Sequence, residues 1–152
     1  MAHDATLFGQ DRYLYADVGI TPGVLMWSTI APYQDINRYI FRTDEQGRLV
    51  SNNTLNGYTW YAYAQQAVPG TNDRYVRVHR PPFVFTYLAN EPEAYVKVCV
   101  DPVTQRLRLR AYNATDIFSG GSGYITLSSD DGAGGCGNTC YPADPVVVRV
   151  PS

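Results

Sequence analysis

The sequence predicts a single all-β domain, built as a two-sheet antiparallel β-sandwich or barrel. With 152 residues the chain has the usual size of one domain, and we expect residues 1–152 to share one core. Thirteen tyrosines favour the pleated surface of a sheet, while ten prolines and thirteen glycines divide the chain into short segments. No window of helical length carries an apolar stripe free of Pro or Gly.

Alternating or apolar segments between turn residues predict about eleven short strands. They cover 12–18, 23–30, 38–43, 48–51, 58–66, 74–79, 83–88, 94–100, 105–112, 123–128 and 146–150. Residues from about 119 to 145 are rich in Gly, Ser and Asp, and most of this region is expected to be loop. A β-trefoil is the alternative, because two similar hairpins lie about 50 to 60 residues apart.

These two hairpins define the local geometry most clearly. The first turn, Asp44 to Gly47, ends on a glycine where a positive φ is favoured. In the second hairpin the strand over 105–112 has a two-residue period, which places Leu107 and Leu109 in the core. Its arginines are expected to be mostly exposed: Arg106, Arg108 and Arg110.

Charge and hydropathy exclude several kinds of partner. The net charge is −2 and the isoelectric point about 5.5, so we predict no nucleic-acid partner. No apolar run approaches the length of a membrane span, so no transmembrane segment is expected.

No convincing catalytic set stands out, and we expect a protein that is not an enzyme. His3 and His79 are the only imidazoles, and Gly120–Gly123 lacks the spacing of a nucleophile elbow. Glu91 and Glu93 fall in what reads as a solvated turn. No zinc spacing accompanies the cysteines, and acidic glycine-rich loops are usually just solvated. We therefore predict neither a metal site nor a cofactor.

The aromatic strand at 58–63 is the candidate binding element. Alternation places Tyr58 and Trp60 on one face and Tyr61 and Tyr63 on the other, and only one face can be the core. The other is either a packed sheet surface or an exposed aromatic surface on which sugar rings could stack. The predicted carbohydrate-binding residues are Tyr58, Trp60, Tyr61, Tyr63, Asn53 and Asn56.

Sequons and cysteines indicate export. Asn52 and Asn113 each begin a glycosylation sequon in turn-type sequence. We predict a Cys136–Cys140 disulfide that leaves Cys99 as a free thiol, with a bridge from Cys99 to either loop cysteine as the competitor. The expected location is secreted or cell-surface, or cytoplasmic if Met1 is the native start.

Three segments carry a family resemblance. The segment 39–50 resembles the "Phe, few residues, Gly-x-Leu" segment of small secreted cell-wall and surface domains of filamentous fungi. The strand 95–109 and the closing segment 140–148 are similar to the later strands of those domains, which end on Cys-Pro-x-x-Val. The resemblance implies an extracellular β-domain without an established activity.

Three functions follow in order of preference. The first is a non-enzymatic surface or cell-wall structural protein that self-associates or packs against a matrix. The alternative is a carbohydrate-binding module or lectin with a glycan partner, and the third is a small secreted hydrolase.

Overall fold

A computed structural model describes residues 3–5, 13–28, 40–51, 57–100, 107–112, 114–117, 123–129 and 146–148. The chain is mostly β-strand, with one short α-helix in the described ranges, so the all-β prediction is confirmed. The strands are β1 His3–Ala5, β2 Tyr13–Asp17, β3 Gly23–Ser28, β4 Ile40–Thr43, β5 Leu49–Ser51, β6 Tyr61–Ala64, β7 Arg74–His79, β8 Lys97–Val100, β9 Leu107–Ala111, β10 Ala114–Ile117, β11 Gly123–Tyr124, β12 Thr126–Ser129 and β13 Val146–Val148. Helix α1 is Phe83–Tyr87, and a 3-10 helix covers Pro92–Ala94.

The strands form one sheet that is nearly closed into a barrel. Its path runs β1-β13-β4-β5-β6-β7-β12-β10-β9-β8, while β3 pairs with β7 and carries β2 and β11. The pairs are antiparallel, except that β1 and β13 run parallel. Of the two predicted forms, the structure is therefore the barrel.

The segment that precedes β8 joins the β8 end of this path to strands in its middle. Bridges join Arg48 to Lys97 and Tyr63 to Tyr95, which places this segment beside both β5 and β6. The Val96 amide donates to the Ala62 carbonyl at 2.9 Å, and the Val96 carbonyl accepts from the Leu49 amide at 2.7 Å. Residues 95–97 therefore connect β8 to β5 and β6 in the nearly closed barrel.

Side chains that alternate along the strands fill the barrel interior. Successive strand residues face opposite sides of a sheet, so every second residue of β6 and β7 enters the core. We call this set the interior cluster. It includes Leu14, Ala16, Leu25, Trp27, Phe41, Leu49, Trp60, Ala62, Ala64, Val76, Val78, Val96, Val98, Leu109, Ala111, Ala114, Ile125 and Leu127.

The first hairpin has the predicted turn. Gly47 has φ of 79°, which confirms the expected left-handed glycine. The Asp44 carboxylate accepts hydrogen bonds from the Gln46 and Arg48 amides at 2.9 Å each, and its second oxygen lies 2.6 Å from Arg48 Nε. The turn therefore holds the Arg48 guanidinium in place at the base of β5.

The prediction of a strand over 83–88 is wrong, because this segment forms helix α1. Aromatic residues at alternate positions favour a strand, but Val84 and Leu88 also have the four-residue spacing of one helix face. Both are buried, Val84 at 0% and Leu88 at 4% exposure. They pack with Tyr63, Ala94 and Tyr95 in what we call the outer cluster, and this tertiary contact decides the conformation.

The second hairpin is predicted correctly for Leu109 and wrongly for Arg108. Leu109 is 1% exposed, as expected. The Arg108 side chain is only 15% exposed, because its Nε lies 3.5 Å from Oδ1 of the fully buried Asp116 on β10. Arg110 is half-buried, while Arg106 and the side chain of Leu107 lie outside the described residues.

Burial raises the pKa of Asp116 to about 6, although Arg108 and the Leu109 amide favour the charged form. That amide donates to Asp116 Oδ1 at 2.7 Å, and Arg108 also donates to the Asp116 carbonyl oxygen at 2.5 Å. Desolvation therefore outweighs the favourable contacts at this carboxyl group.

Candidate functional site

Helix α1 presents an exposed aromatic surface on the outside of the barrel. Phe83, Phe85 and Tyr87 are 53%, 42% and 66% exposed, while Val84 and Leu88 attach the helix to the outer cluster. We call the three exposed rings the α1 face. Large exposed apolar patches usually mark a binding surface, so this face is the first candidate.

Each ring of the α1 face rests against a second ring from β6 or β7. Neighbouring rings of this kind restrict side-chain motion and favour edge-to-face or offset contacts. The α1 face is therefore held in place before any ligand arrives. The three pairs, with their centroid distances, are Phe83–His79 at 5.4 Å, Phe85–Tyr61 at 5.1 Å and Tyr87–Tyr63 at 5.6 Å.

The supporting rings lie on the outer face of β6 and β7 because of the strand register. Tyr61 is opposite His79, and Tyr63 is opposite Arg77, in the antiparallel pair. Side chains directly opposite each other share a face, so these residues point away from the interior cluster. Burial and the neighbouring Tyr87 raise the pKa of Tyr63 to about 12, so Tyr63 stays neutral.

Two arginines lie over rings near α1. The Arg48 guanidinium carbon is 5.1 Å from the Tyr61 ring centroid and 4.8 Å from that of Tyr95. Arg80 lies 4.2 Å from the ring centroid of Tyr58 and 5.8 Å from that of Phe83. These cation–π contacts fix the flanks of the surface and place hydrogen-bond donors beside it.

His79 adds a neutral imidazole to the same surface. Its Nδ1 accepts the Arg80 backbone amide at 2.9 Å, so the neutral ring carries its proton on Nε2. Burial and the adjacent Arg80 lower the pKa of His79, and the ring also stacks on Trp60 at 6.5 Å. At neutral pH His79 is therefore a hydrogen-bond donor without charge.

Two clefts meet at Tyr87. The apolar cleft has a volume of about 610 Å³ and is lined by Pro22, Tyr63, His79, Pro82, Phe83, Thr86 and Tyr87. The polar cleft has a volume of about 620 Å³ and is lined by Ala64, Gln65, Gln66, Arg74, Tyr87, Leu88, Asn90, Glu91, Glu93 and Tyr112. Tyr87 forms a wall of both, so a ligand that stacks on its ring has apolar surface on one side and polar groups on the other.

Side chains in the polar cleft are held by one another. Tyr112 donates its hydroxyl proton to Glu91, and the Arg74 guanidinium lies 4.0 Å from the Tyr112 ring centroid. Arg74 also donates to the Gln65 carbonyl at 3.2 Å. Burial and the Glu91 hydrogen bond raise the pKa of Tyr112 to about 12, so its hydroxyl remains a donor throughout the physiological range.

Comparisons with known proteins gave no match to a family model, a curated protein or a solved structure. The resemblance to secreted fungal wall domains therefore stays an expectation.

The predicted carbohydrate-binding residues divide between surface and core. Tyr58 is 44% exposed and Tyr61 is half-buried beside α1. Trp60 and Tyr63 are 5% and 3% exposed, so their rings serve as packing rather than as an open surface. The other two predicted residues, Asn53 and Asn56, lie outside the described residues, as do the sequon residues Asn52 and Asn113.

The residues that sequence reasoning missed are those of the α1 face. In the strand predicted over 83–88, Phe83, Phe85 and Tyr87 would share one face, opposite Val84 and Leu88. A helical interpretation of the same segment places only Val84 and Leu88 on the packing side and leaves all three rings exposed. Residues four apart share a face in a strand as well as in a helix, so the spacing of Val84 and Leu88 does not distinguish the two, and the sequence carries no clear signal for the α1 face.

Cys99 is buried at 1% exposure on β8, and its sulfur lies 3.6 Å from the Arg108 carbonyl oxygen. Cys136 and Cys140 lie outside the described residues. The Cys136–Cys140 bridge and the competing pairing with Cys99 therefore both stay predictions.

Within the described ranges, no group of three or more His, Cys, Asp or Glu side chains is close enough to hold a metal ion. The same ranges contain no helix long and apolar enough to cross a membrane.

Proposed function

We propose that this chain is a non-enzymatic extracellular surface or cell-wall protein that binds carbohydrate through the α1 face and its two clefts. The observation that carries the proposal is the position of Tyr87. Its ring is 66% exposed, is backed by Tyr63, and separates the apolar cleft from the polar cleft.

Sugars need both kinds of surface at once. The C–H face of a pyranose stacks on an aromatic ring, while its hydroxyl groups require donors and acceptors nearby. The polar cleft offers amides from Gln65, Gln66 and Asn90, together with two carboxylates and a guanidinium. This mixture satisfies hydroxyl groups in either direction, which a purely apolar or singly charged groove would not.

Preorganisation supports the same proposal. The rings of the α1 face are already packed on Tyr61, Tyr63 and His79, so ligand binding freezes little side-chain motion. A rigid, partly exposed ring loses little conformational entropy in the complex, and this favours affinity.

The first test is Tyr87→Ala, screened on a glycan array and then measured by titration calorimetry. Removing the ring eliminates the shared wall of both clefts, so we expect affinity for the selected glycan to fall about 10-fold or more. Tyr87→Phe keeps the ring and is the matched control, with affinity expected within a few-fold of the parent. Both variants should melt like the parent, because the side chain is mostly exposed.

Failure of every glycan to bind, or equal binding by Tyr87→Ala, would contradict the proposal. The same titrations separate binding from hydrolysis, since the oligosaccharide should be recovered intact. Release of reducing ends that Glu91→Gln abolishes would favour a hydrolase instead.

Self-association is the second candidate, favoured by the three exposed rings on one short helix. A second copy could bury the α1 face, as in a coat or filament subunit. Size-exclusion chromatography of the parent and of Tyr87→Ala distinguishes the two candidates. A concentration-dependent oligomer that Tyr87→Ala dissociates supports assembly, and a monomer that binds glycan supports carbohydrate recognition.

Export is tested by expression in a eukaryotic secretory host. We expect deglycosylation to reduce the mass through glycan at Asn52 or Asn113, because both sequons lie in turn-type sequence. Non-reducing peptide mapping of the same material identifies the disulfide. A peptide that links Cys99 to Cys136 or Cys140 would establish the competing pairing, while unmodified sequons and three free thiols would argue against export.

A further inference from the structure

We infer that the ligand is a neutral linear polysaccharide that runs from the α1 face through the polar cleft to a second aromatic cleft beyond Gln65. This inference rests on the proposed function and specifies its ligand class. It starts from a third cavity that the α1 face does not include.

We call this cavity the lateral cleft. It has a volume of about 380 Å³ and is lined by Ile20, Val24, Gln65, Tyr75, Arg77 and Tyr124. Tyr75 and Tyr124 are 38% and 59% exposed and meet edge to face, with centroids 5.9 Å apart. The lateral cleft therefore repeats the main feature of the α1 face, an exposed ring held by a second ring.

Gln65 joins the lateral cleft to the polar cleft, because it lines both. Its side-chain oxygen accepts Arg77 Nε at 2.9 Å, and its backbone amide donates to the Tyr75 carbonyl at 2.9 Å. With the oxygen engaged by Arg77, the side-chain NH₂ is the group that a ligand passing Gln65 would meet. The junction is thus fixed and presents a hydrogen-bond donor.

The sheet register gives this groove a direction. Along the outer face of β6, Tyr61 and Tyr63 support the α1 face, and Gln65 follows at the next outward position. Four residues of extended chain cover about 13 Å, at about 3.3 Å per residue. The outer face of the strand from Tyr61 to Gln65 is therefore longer than one sugar ring.

Cavity size leads to the same conclusion. A cleft of roughly 300 to 1,000 Å³ commonly holds an entire small ligand. The apolar, polar and lateral clefts each have a volume within that range, at about 610, 620 and 380 Å³. Three such clefts connected through Tyr87 and Gln65 exceed what one monosaccharide would fill, whereas a chain of sugars would occupy all three.

Charge selects a neutral polymer. The polar cleft contains Glu91 and Glu93 with Arg74, and the lateral cleft adds Arg77, so positive and negative side chains balance across these two clefts. Neither an anionic nor a cationic polymer would find a complementary field there. Uncharged hydroxyl groups suit the mixture of carboxylates, guanidiniums and amides.

The test is a length series of neutral β-glucan oligosaccharides, from about two to six units, titrated into the full chain by calorimetry. We expect the dissociation constant to fall at least 10-fold from the shortest to the longest oligosaccharide. Tyr124→Ala should raise the dissociation constant of the longest oligosaccharide about 10-fold. The dissociation constant of the shortest oligosaccharide should not change. Tyr124→Phe keeps the ring and should bind every length like the parent.

The outcomes separate this inference from the function on which it rests. If short oligosaccharides bind in a Tyr87-dependent manner but affinity does not rise with length, the extended groove is wrong and carbohydrate binding stands. An unchanged affinity of Tyr124→Ala for the longest oligosaccharide also overturns the extended groove. If no β-glucan oligosaccharide of any length binds and the glycan array shows no other neutral linear glycan that binds, the inferred ligand class is wrong; if the array shows no bound glycan at all, both proposals fail.

Discussion

Leu109→Asp is expected to unfold the domain. Leu109 is 1% exposed within the interior cluster, so an aspartate there would place an unpaired carboxylate in the core. Asp116 accepts the Leu109 amide at 2.7 Å, so the new carboxylate would also lie close to an existing one. We expect the free energy of unfolding to fall by more than about 4 kcal/mol. Circular dichroism on heating should then show no cooperative transition.

Leu109→Met is the matched control, because it nearly conserves volume and introduces no charge. It should lower the free energy of unfolding by less than about 1.5 kcal/mol, and the variant should still unfold cooperatively on heating. A Leu109→Asp protein that melts within a few degrees of the parent would show that β9 does not face the barrel interior.

Arg108→Ser is expected to destabilise the chain strongly at alkaline pH and only weakly at acidic pH. Removing the guanidinium leaves Asp116, which is 0% exposed, as a buried carboxylate without its cationic partner. Breaking a buried pair in this way costs roughly 3 to 5 kcal/mol when the remaining group is charged. At pH 5 Asp116 is mostly protonated, since its pKa is already raised to about 6, and the cost is small.

Urea unfolding of the parent and of Arg108→Ser at pH 5 and pH 8 measures this difference. Arg42→Ser, at a half-buried arginine on β4, is the matched control and should cost under about 1 kcal/mol at both values. Equal destabilisation by Arg108→Ser at pH 5 and pH 8 would show that the Asp116 charge is not the cause.

The same carboxyl group sets a pH dependence in the parent. Its pKa is about 6 in the folded chain and 3.8 ordinarily, so between these values the folded chain holds a proton that the unfolded chain releases. The free energy of unfolding therefore falls as pH rises through this window, by at most about 3 kcal/mol from this group. Asp116→Asn cannot titrate, and its stability should vary less over the same range.

The sequence predicts the position of a residue well when neighbouring residues along the chain determine its environment. It predicts poorly when a distant strand supplies the partner. The period of two along β9 places Leu109 correctly, and Gly47 is predicted from its turn alone. Arg108 was misjudged because its partner, Asp116, lies on β10, a strand without a clear sequence signal. A solvent-facing arginine and one that covers a buried carboxylate have the same sequence pattern.

The candidate site was predicted in part for a similar reason. Alternation correctly separates Trp60, in the interior cluster, from Tyr61 and Tyr63 on the outer face of β6. Whether solvent reaches the outer face of β6 depends on α1, which is distant along the chain and which the sequence predicts as a strand. Helix and strand periods both fit a segment this short, and only the packing of Val84 and Leu88 decides between them.

The way α1 is attached separates folding from recognition residue by residue. Val84 and Leu88 hold the helix on the barrel, while Phe83, Phe85 and Tyr87 project from it. Changes at the three outward positions alter the chemistry of the surface without touching the anchors. Helix α1 therefore has the layout of a display segment, on which new specificities could be selected from a library while the barrel beneath stays constant.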